Sequence, residues 1–166
     1  MRTVAQHDEP TIGPGIEVVG RIAREAAYRA LAANTKRATY FRLRQRLVKQ
    51  GRAATCLAAT DKMRIALKVY AGGGERTLHA HPHEDHTFIV LHGKVRFFDR
   101  AGRSIVLAAH RGLLIPRGVH YRFDIVTRAP AVMLRIGAQY AHDENRKRPA
   151  RTKKRVKVIF ANRYFE

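Results

Sequence analysis

The sequence predicts an all-β domain, an antiparallel sandwich or barrel, with an amphipathic helix before it and a basic extension after it. Three observations support this prediction. Between Asp61 and Gly137, short apolar runs alternate with turn residues, which is typical of such sheets. Before them, apolar residues recur every three or four positions. After them, the last 21 residues carry 9 Lys/Arg against 1 Asp/Glu.

Length and composition indicate one globular domain with appended sequence. The chain has 166 residues, 45% of them hydrophobic, which is enough for a proper core. No apolar run reaches the roughly 18–20 residues that cross a bilayer, so we expect no membrane partner. The N-terminal residues 1–15 lack the apolar segment of a secretory signal, and we expect a cytoplasmic protein. Cys56 is the only cysteine, which excludes an internal disulfide framework and a cysteine-based zinc site.

The net charge of +20 is concentrated in the two flanks of the chain. Residues 1–52 have 11 Lys/Arg against 4 Asp/Glu, residues 53–145 have 13 against 8, and residues 146–166 have 9 against 1. Such a charge attracts polyanions in general. Because no nucleic-acid recognition motif is present, we do not favour nucleic acid as the partner.

Residues 1–52 are predicted to be a helical, basic segment that packs on the barrel. From Ile16 to about Asn34, small and apolar residues recur on one side with arginines between them, which predicts an amphipathic helix. The stretch 39–51, "TYFRLRQRLVKQG", fits either the start of a strand or a short basic helix that ends at Gly51.

Residues 53–140 are predicted to form the β-barrel. In "KMRIALKVYA", Met63, Ile65, Leu67 and Val69 alternate with other residues, which predicts a half-buried strand. "AGGGE" follows as a flexible turn. The later strand candidates are "TFIVL", "KVRFF", "SIVLAA", "LLIP", "VHYRFDIV" and "AVMLRIG".

Residues 141–166 are predicted to be a basic extension. Eight Lys/Arg lie between Arg146 and Lys157, a density typical of a solvated tail. The final "RVKVIFANRYF" contains too many apolar residues for a tail that is only solvated. We therefore expect this end to dock as a strand on its own domain or on a partner subunit.

Histidines are concentrated in residues 78–93, "LHAHPHEDHTFIVLHG", which hold five of the nine in the chain. His79 and His81 are two residues apart and point to the same side if the segment is extended. A strand from His86 onward carries Phe88 and Val90 on the same face as His86. If this face looks into a barrel, the three imidazoles can converge, and a divalent transition metal would satisfy all of them. His120, just after a turn, could supply a fourth ligand.

The segment "GERTLHAHPHEDHTFIVLHG" resembles the first signature of the cupin superfamily, G(X)5HXH(X)3–4E(X)6G. "LLIPRGVHYRFD" resembles the second, G(X)5PXG(X)2H(X)3N. The resemblance covers about residues 61–138 and implies a double-stranded β-helix, the cupin or jelly-roll barrel. The residues that match the two signatures are His79, His81 and Gly93 in the first, and Pro116, Gly118 and His120 in the second.

The resemblance implies metal ligation by His79, His81, His86 and His120. His86 stands where the family usually has a glutamate, so the implied site has four neutral ligands. Such a site suits Fe, Mn, Ni, Cu or Zn. A weaker register uses His81, His83 and His86, and a further alternative is that the histidines bind no metal. His83 and His92 are not expected to bind the metal.

Three functions follow from these observations. The first is a metal-dependent oxygenase of the dioxygenase type that acts on a small organic substrate, with Arg122 and Phe88 as candidate substrate contacts. The second is a non-catalytic cupin that binds a metal or a small ligand. The third is a polyanion-binding protein that acts through its basic flanks. The resemblance also implies a homodimer, for which the outward-facing Ile89 and Leu91 are candidate contacts.

Overall fold

The computed structural model describes residues 12–13, 15–18, 21–33, 38–139 and 163–164, and the predicted all-β fold is confirmed. The elements in chain order are β1 (Ile12–Gly13), β2 (Ile16–Val18), α1 (Arg21–Ala33), β3 (Tyr40–Phe41), β4 (Val48–Gln50), β5 (Arg52–Ala59), β6 (Met63–Tyr70), β7 (Gly74–His79), β8 (Glu84–His92), β9 (Lys94–Asp99), β10 (Ser104–Ala108), β11 (Gly112–Ile115), β12 (Tyr121–Ile125), β13 (Ala131–Gln139) and β14 (Arg163–Tyr164).

Two antiparallel sheets make up the barrel. The larger has the strand order β11-β8-β13-β6-β5-β2, and the smaller has the order β10-β9-β12-β7. Consecutive strands of the chain repeatedly fall in different sheets, so each crossing carries the chain over the interior. The parallel pair β1–β3 and the antiparallel pair β14–β4 lie outside these two sheets.

The main core lies between the two sheets and consists largely of aromatic rings. The larger sheet contributes Phe88, Val90 and Met133, and the smaller sheet contributes Phe97 and Phe123. The Phe97 and Phe123 ring centroids are 5.3 Å apart, and the Phe88 and Phe97 centroids are 5.4 Å apart. These separations are within the range of favourable aromatic contacts.

Strand β6 is buried on both faces in its second half, so the prediction of a half-buried strand is wrong there. Ala66 and Tyr70 face the interior, while Val69 faces the other way. The outward face is covered because Val48 of β4 packs with Ala53 and Val69 in a second cluster. Met63, expected on the buried face, is 43% exposed.

The N-terminal helix is shorter than predicted. It spans Arg21–Ala33, whereas Ile16–Val18 form β2, which pairs antiparallel with β5. The edge of β5 offers backbone hydrogen bonds, and this pairing overrides the local helical periodicity. Ala27 and Tyr28 pack against the interior-facing Cys56 and Ala66, so α1 covers the interior face of the larger sheet near β5 and β6.

The ambiguous stretch 39–51 contains two short strands, β3 and β4, and no helix. Near the end of the chain, Arg163–Tyr164 pair antiparallel with β4. The rest of the final "RVKVIFANRYF", which is expected to dock as a strand, and the basic run 146–157 lie outside the described residues. Within the described part of the chain, no helix is long and apolar enough to cross a membrane.

Candidate metal centre

The histidine-rich segment crosses from one sheet to the other. His79 ends β7 in the smaller sheet, Glu84 begins β8 in the larger one, and residues 80–83 connect them. The connection is tied to the turn before β12: the Gly118 amide donates to the His81 carbonyl at 2.9 Å, and the Arg117 amide donates to Asp85 Oδ1 at 2.6 Å. These bonds fix the backbone on both sides of Glu84.

His81, Glu84 and His86 bring one ligand atom each to within 4.8 Å of one another. Glu84 and His86 are two residues apart on β8 and therefore share its interior face. His86 is 1% exposed, and its ring centroid is 4.0 Å from that of His81. The cluster lies at the end of the aromatic core, since the Phe88 ring is 5.9 Å from the His86 ring.

His86 is held in one orientation by contacts at both ring nitrogens. Nδ1 is 3.1 Å from the Tyr121 hydroxyl, and Nε2 contacts Nη2 of Arg135 and lies 3.0 Å from Glu84 Oε2. Burial lowers the pKa of His86 although the hydrogen bond with Glu84 opposes it. Burial therefore keeps the ring neutral, and its Nε2 faces both the Arg135 guanidinium and the Glu84 carboxylate.

His81 is also held neutral. Burial lowers the pKa of His81 to about 4, and the charges of His86 and Arg135 add to this effect. A neutral imidazole is the form that binds a metal.

Glu84 is the anionic member of the cluster. Burial acts to raise the pKa of Glu84, but hydrogen bonding to His86 and the charge of Arg135 outweigh it and lower the pKa to about 2. Arg135 Nη2 donates to Glu84 Oε2 at 2.9 Å. The carboxylate lies over Gly137 of β13, where any side chain would collide with it. The other oxygen, Oε1, is buried without a hydrogen-bond partner among the described residues.

The cluster fits a divalent transition metal. Metal–ligand bonds of about 2.0–2.2 Å place two ligands of one ion at most about 4.4 Å apart, so small side-chain adjustments from 4.8 Å suffice. Two imidazoles and a carboxylate are donors that Fe, Zn and similar ions accept. The unpartnered Oε1 of Glu84 is the group that an ion would satisfy.

His79 lies beside this cluster but is not one of its three members. Its ring centroid is 5.3 Å from that of His81 and 4.5 Å from that of Tyr121. Nδ1 donates to the Thr77 carbonyl at 2.8 Å, and Nε2 lies 3.5 Å from Glu75 Oε2. A carbonyl on Nδ1 is the usual partner of a metal-ligating histidine, so His79 remains a candidate fourth ligand.

His120 lies in a different environment. It lines a pocket of about 310 Å³ together with Ile105, Leu114 and Val119, and it is not among the three clustered residues. The structure therefore brings three of the four predicted histidines together as ring neighbours and places His120 beside an apolar groove.

Strand β12 turns Tyr121 and Phe123, and not Arg122, toward the interior. Tyr121 and Phe123 are 4% and 0% exposed and belong to the core. Arg122, a candidate substrate contact, instead stacks on the Phe98 ring at 3.6 Å, and its Nη1 is 3.4 Å from Asp124 Oδ2. Because β12 begins at Tyr121, the alternation cannot be extended back to His120 across the turn.

Phe88, the other candidate substrate contact, faces the interior as predicted but is 0% exposed. Its ring lies 5.8 Å from Tyr121 and 6.0 Å from Phe123. Phe88 therefore packs against the residues that support the cluster, with no surface left open to a ligand.

Glu84 and Arg135 were missed by sequence reasoning. A signal for Glu84 existed: extending the His86, Phe88 and Val90 alternation back by one step places Glu84 on the interior face. Arg135 had no comparable signal, because it depends on the pairing of β13 with β8, in which Arg135 lies opposite Phe88.

A second polar cluster lies on the same interior surface. Glu75 Oε1 accepts from Lys68 Nζ at 2.9 Å and from the Tyr70 hydroxyl at 2.7 Å. Lys68 is 6% exposed, and burial lowers the pKa of Lys68 to about 8 although Glu75 opposes it. Glu75 also links this cluster to His79.

The metal-free protein is expected to lose stability as the pH falls from about 6.5 to about 4. The pKa of His81 is about 4 in the folded state and 6.5 ordinarily, so the unfolded chain binds the proton first. Because His81 is only partly buried, solvent screens part of this difference, and the expected loss from His81 is about 1–2 kcal/mol. Urea unfolding in EDTA at several pH values should show this decline, and His81→Ala should flatten it. His92→Ala, at an exposed position on β8, is the control; an equal flattening there would contradict the prediction.

Comparison with known proteins shows what the barrel resembles. Residues 66–137 match the family model described as a cupin domain. The two facing antiparallel sheets and the histidine cluster agree with that match. The barrel part of the chain is therefore similar to cupin domains and has their fold.

Solved structures share the fold at low sequence identity. The cupin domain of Cnp3 from Schizosaccharomyces pombe is 17% identical, with 66% of this chain and 83% of that chain covered and a TM-score of 0.55. KdgF from Halomonas sp. is 15% identical, with 56% and 83% covered and a TM-score of 0.50. A cupin superfamily protein from Desulfitobacterium hafniense is 19% identical, with 54% and 78% covered and a TM-score of 0.47. None of the curated proteins matches the chain.

Proposed function

We propose that this protein is a metal-binding cupin whose divalent transition metal is held by His81, Glu84 and His86. The observation that supports this most directly is the approach of their ligand atoms to within 4.8 Å in the barrel interior. His86 Nε2 and Glu84 Oε2 are 3.0 Å apart. Arg135 Nη2 contacts both atoms in the metal-free protein, and a metal ion would take over this shared position.

We further propose that the bound metal supports oxygenase chemistry on a small organic substrate. Two histidines and one carboxylate are the ligand set of non-haem Fe(II) oxygenases, so an iron ion held by His81, Glu84 and His86 would supply O₂ activation. The protein orients the metal ligands and keeps water away from them. The Tyr121 hydroxyl fixes the His86 ring, and the packed core around Phe88 excludes water. A fourth ligand from His79 would still leave room for an exogenous ligand.

A non-catalytic metal- or small-ligand-binding role is the second candidate. It is favoured by the contact between Arg135 and His86, which already satisfies one of the three ligand atoms without any metal. The two candidates share the site and differ in whether a labile position remains open to substrate.

Metal analysis of the purified protein is the first test. We expect about one equivalent of a transition metal, and at least a tenfold loss of affinity in His81→Ala, in line with the loss of one of three ligands. His92→Ala is the matched control because it removes an exposed histidine from the end of the same strand β8. Wild-type protein that binds no Fe, Mn, Ni, Cu or Zn would overturn the proposal.

Oxygen uptake separates the two candidate roles. Metal-loaded protein is assayed for O₂ consumption with a panel of small organic acids, alcohols and phenols, with His81→Ala as the inactive reference. Uptake that depends on both metal and substrate supports the oxygenase. A fully metal-loaded protein that consumes no O₂ with any compound of the panel favours the non-catalytic role.

A further inference from the structure

Arg135 occupies the atom through which His86 would bind a metal. The guanidinium contacts Nε2 of His86 through Nη2, and the same nitrogen donates to Glu84 Oε2 at 2.9 Å. A neutral imidazole has one lone pair, so His86 Nε2 can accept an N–H or bind an ion, but not both. Metal binding must therefore displace the Arg135 contact.

The interior charge of the metal-free protein is balanced among its buried groups. Lys68 and Arg135 carry positive charges and are 6% and 7% exposed, while Glu75 and Glu84 carry negative charges beside them. A divalent ion adds two positive charges to this set. Uncompensated charge in a protein interior is costly, so the loaded site favours the entry of an anion.

Arg135 is the cation that an entering anion would meet. Lys68 is held by Glu75, which also accepts from Tyr70, and neither of these hydrogen bonds involves His81, Glu84 or His86. Arg135, in contrast, must give up its bond to His86. The contacts of Arg135 among the described residues involve only Nη2, which leaves the N–H groups of Nη1 and Nε for a ligand.

The shape of the guanidinium selects the class of anion. Its planar donors match the two oxygens of a carboxylate, and its charge makes these hydrogen bonds strong. A carboxylate with one oxygen on the metal and the other on Arg135 would separate two like charges that otherwise repel each other.

We propose, on the basis of the metal site proposed above, that the loaded centre takes a small carboxylate that bridges the metal and Arg135. Metal and carboxylate then bind cooperatively, and each raises the affinity for the other. The carboxylate is part of the ligand or substrate that this cupin recognises.

Co²⁺ titrations of the full-length protein, with acetate as the probe, test this inference. Acetate is expected to raise Co²⁺ affinity about tenfold, within the range typical of coupled sites, and to change the visible Co²⁺ spectrum. Acetamide, which has the same shape without the charge, is expected to do neither. Calorimetry gives the affinities, and the spectrum reports the coordination of the ion independently.

Variants assign the effect to Arg135. Arg135→Met is expected to bind Co²⁺ at least as tightly as wild type, because the competing N–H is gone, and to lose the acetate effect. Arg135→Lys keeps the positive charge but lacks the planar pair of N–H donors, so it should retain only part of the acetate effect. Arg96→Met removes an exposed arginine from strand β9 and should leave the acetate effect intact.

Each outcome has a distinct meaning. Wild-type protein that fails to bind Co²⁺ overturns the metal site, and this inference with it. Co²⁺ binding that acetate does not alter, or that acetamide alters equally, overturns the carboxylate bridge and leaves the metal site standing. An acetate effect that survives in folded Arg135→Met also overturns the bridge.

Discussion

Replacing Glu84 by leucine is expected to destabilise the metal-free protein by about 3–5 kcal/mol. The substitution leaves the Arg135 guanidinium, whose side chain is 9% exposed, without its counter-charge in the barrel interior. A buried charge that loses its partner keeps its desolvation cost and loses the attraction that offset it. Urea unfolding in EDTA at neutral pH, followed by circular dichroism, measures the change in the free energy of unfolding.

An exposed ion pair supplies the matched control for Glu84. Asp99 and Arg103 form a bond of 2.7 Å between side chains that are 35% and 85% exposed. Asp99→Asn should leave the free energy of unfolding almost unchanged, because solvent screens such pairs. The double variant Glu84→Leu/Arg135→Met removes both charges and should recover most of the loss. A Glu84→Leu variant as stable as Asp99→Asn would contradict the buried-pair account.

The strands of the barrel were predictable because their sequences carry two independent signals. Runs such as "TFIVL" and "KVRFF" combine β-branched and aromatic residues with turn residues at both ends, and β8 and β9 lie at these positions. β5 was missed because "RAATCLAA" is rich in alanine and has weak strand propensity of its own. β5 pairs with β6 along most of its length, and this pairing supplies the preference for a strand that the local sequence lacks.

The candidate site was predictable only where its geometry is local. The alternation from His86 to Val90 placed His86 correctly on the interior face, and one further step would have added Glu84. Arg135 could not be predicted, because its place beside His86 follows from pairing between strands that are about 50 residues apart in the chain. His120 was expected to converge through the family pattern, and no local sequence signal tests its orientation at the turn before β12.

Which face of β12 points to the interior could have been predicted from its own residues. Tyr121 and Phe123 alternate with Arg122 and Asp124, and the rule that large apolar side chains face the core assigns the correct face. Arg122 would face the interior only if His120 pointed inward and the alternation continued from it into the strand. A period of two holds within an extended strand and is lost where the chain turns.

Truncating Phe88 to alanine is expected to cost about 3–5 kcal/mol of stability. The side chain is 0% exposed, and its ring lies against Phe97 at 5.4 Å and Tyr121 at 5.8 Å between centroids. Its loss leaves a cavity that the rigid strands on either side cannot close. Leu114→Ala, at a position that is 63% exposed, should change the free energy of unfolding by no more than about 0.5 kcal/mol.

The same variant distinguishes support of the metal site from contact with a ligand. Phe88 packs against His86 and against Tyr121, which holds His86 Nδ1, so Phe88→Ala should also weaken metal binding. A direct substrate contact would instead leave metal affinity unchanged and affect only the response to the organic ligand. Co²⁺ titration of folded Phe88→Ala and Phe88→Leu separates the two roles, because leucine refills part of the cavity and should restore part of the metal affinity. Unchanged Co²⁺ affinity in both variants would show that the core does not position His86.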